Sequence, residues 1–306
     1  MEGACSLSSS ENPQFDPQPP LAPEPPAHDT GRLDDPITPD TIPHSADSGA
    51  NGGVPATYPP VATPRDPVWT GWDVLLIAAL TLVLIPVVGV IAVLAARVIW
   101  PHLSVTAVAP EIVIVAQFLA YIGVAICMVM LVEGKYHVPF WRAIHWNWPR
   151  SGWKMFTLGV MLLLTITLIA RFLPMPKTTP FDQFFASPRD AYLISIFAVT
   201  FGPFMEELFF RGLLYPVLAR RMGVFWGVLL TAAPFAMMHM FQYGYAWGVV
   251  LLIFVMGIVV TIVRAATGSV AASFLVHVGY NATEMFLMMI ATDGFRHMEK
   301  AVLAVS

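Results

Sequence analysis

From Val74 to Ala96 the chain carries no charged residue, and the run is closed by Asp73 on one side and Arg97 on the other. Wound as an α-helix at about 1.5 Å per residue, a stretch of this length spans a bilayer hydrocarbon core of about 30 Å. Comparable apolar runs follow over Ile112–Val132, Met155–Leu173, Ala191–Ala219, Val224–Phe241, Trp247–Val263 and Ser269–Ala291. The pattern predicts an all-α fold, a polytopic transmembrane bundle of about seven helices. Only 12% of the residues are charged, roughly half the share of a water-soluble globule. Trp69 and Trp72 stand where interfacial anchors belong, and Pro86 marks a kink in the first span.

Charge divides the chain unevenly. Residues 1–67 hold ten acids, two bases and fifteen of the 27 prolines, whereas residues 68–306 hold ten acids and fourteen bases. A segment so rich in proline and poor in large apolar residues cannot offset its ordering entropy, so 1–67 is expected to be a disordered acidic tail ahead of a helical membrane domain, 68–306. The acidic tail and the apolar remainder leave no basic patch for nucleic acid. Cys5 and Cys127 are too few for a disulfide framework or a thiolate metal site. The N-terminus lacks the basic start and apolar stretch of a signal peptide, so insertion is expected to begin at the first long span.

Orientation follows from lysine and arginine near the span ends. A cytoplasmic tail places eight bases inside (Arg65, Lys135, Arg142, Arg150, Lys154, Arg220, Arg221, Arg264) and six outside (Arg97, Arg171, Lys177, Arg189, Arg296, Lys300). The expectation is a multi-pass protein of the plasma membrane with its tail in the cytoplasm.

Three charges interrupt the fourth span. Between Asp190 and Arg220 the only acids and bases are Glu206, Glu207 and Arg211, each disfavoured by roughly 2.5–3.5 kcal/mol at a helix centre. Glu207 and Arg211 are four residues apart with the acid first, the favourable order for a pair. Glu206 is rotated about 100° from Glu207 and is expected to face a different neighbour. His239 is the only acid, base or imidazole between Arg221 and Arg264, with Phe235 one turn before it. In the last span His277, Asn281 and Glu284 can share one helical face. Polar groups on three apolar helices are best accommodated by meeting one another, which predicts one intramembrane site.

A carboxylate and two imidazoles are sufficient to orient and deprotonate a water, or to bind a divalent metal such as zinc through Glu206, His239 and His277 with a position left for that water. Asn281 is suited to donate to a developing oxyanion. No serine sits in the pattern with a neighbouring base, and the H-E-x-x-H signature and Gly-rich phosphate loops are absent. The same residues would also serve a proton relay in a transporter, although no inverted repeat is visible.

These residues resemble a known family. Glu206-Glu207-Leu208-Phe209-Phe210-Arg211 is similar to the E-E-x-x-x-R motif of the CPBP intramembrane proteases, a family that includes the type II CAAX prenyl endopeptidases and the bacterial Abi proteins. Phe235–His239 resembles its F-x-x-x-H motif and His277–Asn281 its H-x-x-x-N motif, in the same order, within residues 190–291. The resemblance implies an intramembrane endopeptidase acting on a peptide or membrane-protein substrate. Glu206 would activate water, His239 and His277 would complete the water or metal site, Asn281 would hold the oxyanion, and Glu207 and Arg211 would support them. Bacterial members are also associated with immunity and non-catalytic scaffolding, which leaves a catalytically idle membrane scaffold as a further alternative.

Overall fold

The computed structural model describes residues 66–102 and 109–298. The expected disordered tail as far as Arg65, together with Lys300, lies outside the described residues, whereas its last two residues, Asp66 and Pro67, are described. All regular structure among the described residues is helical: α1 (Gly71–Ile99), α2 (Ala109–Val129), α3 (Phe140–Ala143), α4 (Gly152–Ala170), α5 (Pro188–Val199), α6 (Phe201–Glu206), α7 (Tyr215–Met238), α8 (Trp247–Thr267) and α9 (Val270–Ala291). Two wider π-helical segments extend them, Met130–Lys135 after α2 and Glu207–Leu214 between α6 and α7. The aromatic stretch before α5 forms a 3-10 turn, Pro180–Phe185, opened by a capping box between Thr179 and Asp182.

Six helical stretches among the described residues are long and apolar enough to cross a membrane. The fourth and fifth spans expected from sequence fall in one of them, Pro188–Met238, of 51 residues. A straight helix of that length would reach roughly 75 Å, more than twice a hydrocarbon core. It is not straight, because Gly223 adopts φ 81° and ψ 166°, a conformation open to glycine and strained for any residue with a Cβ. The chain folds back there. Gly227 lies so close to Ala219 that a Cβ would come within 2.9 Å of its backbone, and further along Phe210 packs edge-on against Phe235 with ring centroids 5.3 Å apart.

Successive spans alternate between two ends of the bundle. At the first end Thr70 caps α1 in a box with Asp73, and Asp73 receives Lys135 at 2.6 Å and the Tyr136 hydroxyl, joining the start of α1 to the end of α2. Arg220 donates to the carbonyls of Pro67 and Trp69, while the buried Trp69 indole donates to Leu213. The start of α9 is fastened there by Val270 to His145 and Ser269 to Asn147. At the opposite end Phe181 donates its backbone N–H to Gln242 at 3.0 Å, and Phe295 packs on Phe185 and Tyr192.

A close crossing joins α4 and α9. A Cβ on Gly159 would strike the carbonyl of Val276, and one on Gly279 that of Phe156. Two glycines thus let the backbones approach, as small residues do between membrane helices, and α9 is pressed into the bundle with His277 buried on its inner face.

Candidate active site

Glu206 is the last residue of α6, at the point where the helix widens into its π segment. Such widened turns are frequent at functional sites. Upstream the backbone departs from regular helix at Thr200, φ −113° and ψ −77°. Next to that break the carbonyl of Ala198 accepts the Asn281 side-chain amide at 2.7 Å.

Glu207 and Arg211 are both fully buried and pair at 2.9 Å, as their spacing predicts. The guanidinium also donates to Thr261 at 3.2 Å and to the Gly257 carbonyl at 3.0 Å. Its face lies over the Phe235 ring at 4.5 Å, a cation–π contact strengthened by exclusion of water. Arg211 thereby ties the π segment to α8 and to the returning arm of α7. Motif reasoning assigned a supporting role to this residue but did not find Thr261 or Gly257. Their only sequence signal is four-residue spacing on α8.

The two adjacent carboxylates were expected to face different neighbours, and the structure corrects this. One oxygen of Glu207 meets Nδ1 of His277 at 2.9 Å, while Nε2 of the same ring stands 3.6 Å from Glu206. The physical reason is twofold: an imidazole carries its nitrogens on opposite edges and can bridge, and a helix closed by i to i+5 bonds turns less than 100° per residue. His239 comes in from the end of α7, with Nδ1 2.8 Å from its own-helix carbonyl of Phe235 and Nε2 3.9 Å from Glu206.

These contacts assign the tautomers. A carboxylate and a carbonyl accept only, so Nδ1 of His277 and Nδ1 of His239 each donate, and a neutral ring then turns an Nε2 lone pair toward Glu206. Glu206, His239 and His277 are thus brought together. Asn281 lies one turn beyond His277 with one amide hydrogen committed to Ala198 and a second remaining. In the loop after α7, Tyr243 packs on Phe181 with ring centroids 5.8 Å apart; burial, then the charges of Glu284, Glu206 and Asp182, push its phenol above the ordinary range.

Two imidazoles and a carboxylate are the residue types of a catalytic zinc site, and rings oriented through Nδ1 are typical of zinc ligands. Among the described residues, however, no three His, Cys, Asp or Glu side chains are arranged to hold a metal ion. The two Nε2 atoms stand 3.6 and 3.9 Å from the Glu206 carboxylate oxygens, converging on it but outside direct hydrogen-bond distance.

Sequence reasoning missed another polar pair, on the helix that packs against α5 and α6. Gln117 and Tyr121 on α2 are four residues apart in a run without charge, and the amide donates to the phenol oxygen at 2.8 Å.

No curated protein and no solved structure matches the chain. Residues 188–283 match a family model described as "Rce1-like: Type II CAAX prenyl endopeptidase Rce1-like". That segment contains all six motif residues, Glu206, Glu207, Arg211, His239, His277 and Asn281. Six apolar membrane-length helical stretches describe a multi-pass membrane protein, and its residues 188–283 are similar to the Rce1-like family model, in agreement with the resemblance to the CPBP family.

Proposed function

We propose that the chain is an intramembrane endopeptidase that hydrolyses a peptide bond with a water activated by Glu206. The observation that carries this reading is the convergence of Glu206 with Nε2 of both His239 and His277, drawn from three helices into an apolar bundle. A water held by these groups gives one proton in a hydrogen bond to Glu206 and the other to an imidazole Nε2, leaving its lone pairs free for the scissile carbonyl. As the C–O bond forms, Glu206 takes the proton and the carbonyl π pair moves to oxygen, where the second amide hydrogen of Asn281 receives it. Collapse expels the amine, which takes the proton back from Glu206. Glu207 fixes the His277 ring, and Arg211 neutralises Glu207.

The family description points to prenylated peptides of the C-a-a-X type as the first substrates to try. The test is cleavage of an internally quenched farnesylated C-a-a-X peptide by the purified protein in liposomes, alongside Glu206→Ala. Cleavage by the wild type that is lost in a folded Glu206→Ala protein supports the reading; equal cleavage by both would overturn it. A comparison of membrane peptides in cells carrying either form extends the same test to other substrates. Orientation with the tail in the cytoplasm is part of the proposal, and labelling of a cysteine placed at Trp148 from one side of sealed membranes checks it.

A further inference from the structure

An oxyanion accepts more than one hydrogen bond, and the motif residues supply a single donor for it, Asn281, whose amide is already half committed to Ala198. A second donor stands nearby on a helix outside the matched segment. Tyr121 belongs to α2, which packs against α5 and α6. Its side chain is buried, and its ring stacks on Phe197 with centroids 5.9 Å apart and planes 26° apart. Phe197 and Ala198 are consecutive, so Tyr121 and Asn281 are anchored on neighbouring residues at the end of α5, beside the break that leads to Glu206.

The hydrogen bond to this phenol decides what it can do. Gln117 donates to the Tyr121 oxygen at 2.8 Å, so the oxygen is an acceptor in that bond and its own O–H remains available. Among the described residues no acceptor takes that hydrogen. A buried donor without a partner is unfavourable in a protein interior, and more so at membrane depth, where bulk water is absent. Gln117 is itself a costly residue in an apolar span, and its bond to Tyr121 gives it a role: it holds the phenol oxygen.

We propose that Tyr121 is a catalytic residue that donates its O–H to the carbonyl oxygen of the scissile peptide as that oxygen becomes negative, with Gln117 as its positioning residue. The inference rests on the endopeptidase reading above and extends it. In the step concerned, water oxygen bonds to the carbonyl carbon, the π pair goes to the carbonyl oxygen, and the water proton goes to Glu206. Tyr121 keeps its proton throughout and contributes only the hydrogen bond.

The test is steady-state cleavage of the quenched farnesylated C-a-a-X peptide by wild type, Glu206→Gln, Tyr121→Phe and Gln117→Leu in liposomes, with thermal unfolding of each in detergent. Tyr121→Phe keeps the ring on Phe197 and removes only the hydroxyl. The expected result is a loss in kcat on the order of 10² with KM within about twofold, and a smaller loss of the same kind for Gln117→Leu. A role in packing alone would lower the unfolding temperature and leave kcat of the folded fraction unchanged. A Tyr121→Phe protein with wild-type kcat, while Glu206→Gln is inactive, overturns this proposal and leaves the endopeptidase reading standing. Failure of the wild type to cleave a peptide that it binds overturns both. If Tyr121→Phe does not fold, Gln117→Leu decides, and an unchanged kcat there is the overturning result.

Discussion

Glu207 and His277 lie seventy positions apart in sequence and meet at 2.9 Å through a carboxylate oxygen and Nδ1. The contact fixes which ring nitrogen faces Glu206, and it depends on a carboxylate that Arg211 neutralises at the same distance.

Glu207→Ala leaves the fully buried Arg211 guanidinium without its counter-charge. Breaking one side of a buried pair typically costs about 3–5 kcal/mol, so the unfolding midpoint in detergent should fall well below that of the wild type. A midpoint within a degree of wild type would show that the pair is not needed for the fold.

Arg211→Lys tests geometry at constant charge. A single ammonium cannot reach Glu207, Thr261 and the Gly257 carbonyl together, nor stack flat on Phe235. Destabilisation of about 1–3 kcal/mol is expected from the unmet partners, and differential scanning of the two proteins in one detergent measures it.

Glu206→Gln should separate activity from stability. Glu206 is part-exposed and its closest partners stand at 3.6 and 3.9 Å, so removing its charge should leave the unfolding midpoint unchanged or slightly raised. Cleavage should fall by roughly 10²–10⁴, the usual worth of a general base. A fall in midpoint of many degrees would instead make Glu206 a structural residue.

The proposed mechanism uses a water activated by Glu206 with His239 and His277 and no metal, so activity should survive exhaustive dialysis against a chelator. Elemental analysis before and after dialysis provides the check. Activity lost with a stoichiometric metal and restored by its return would require a metal centre in place of the arrangement described.

Gly279→Val would push the α9 backbone off α4, because even a Cβ there meets the Phe156 carbonyl. Overpacking of this kind costs about 1–3 kcal/mol and would shift His277 and Asn281, which flank Gly279 on the same helix. Both the unfolding midpoint and cleavage should fall, whereas Gly89→Ala, at a position with open space around it, should change neither.

Bilayer energetics made much of this protein readable from its residues. Each apolar run had to become a helix, and Glu206, Glu207, Arg211, His239, His277 and Asn281 were conspicuous because hydrocarbon rejects such groups. What stayed hidden was set by backbone form and by less conspicuous side chains. Nothing in the spacing announced that the helix would widen after Glu206, so Glu206 and Glu207 were assigned different neighbours although His277 touches both. The count of spans depended on a single glycine, since Gly223 turns one continuous apolar stretch into two arms. Asn281 was readable as a donor, but its bond to Ala198 needed the break at Thr200, and the pairing of Gln117 with Tyr121 carried no charge to draw notice.

The turn at Gly223 has a metric consequence. It lies about midway in sequence between Glu206 and His239, so the two arms of the hairpin act as the legs of a caliper whose tips are the acid and the imidazole. Substitution along the legs changes what the lipid meets, but a single inserted residue on one leg advances one tip by about 1.5 Å and swings it through about 100°. The reach of His239 to Glu206 is therefore set by equality of length, and a matched pair of insertions, one in each arm, should harm the site less than either alone.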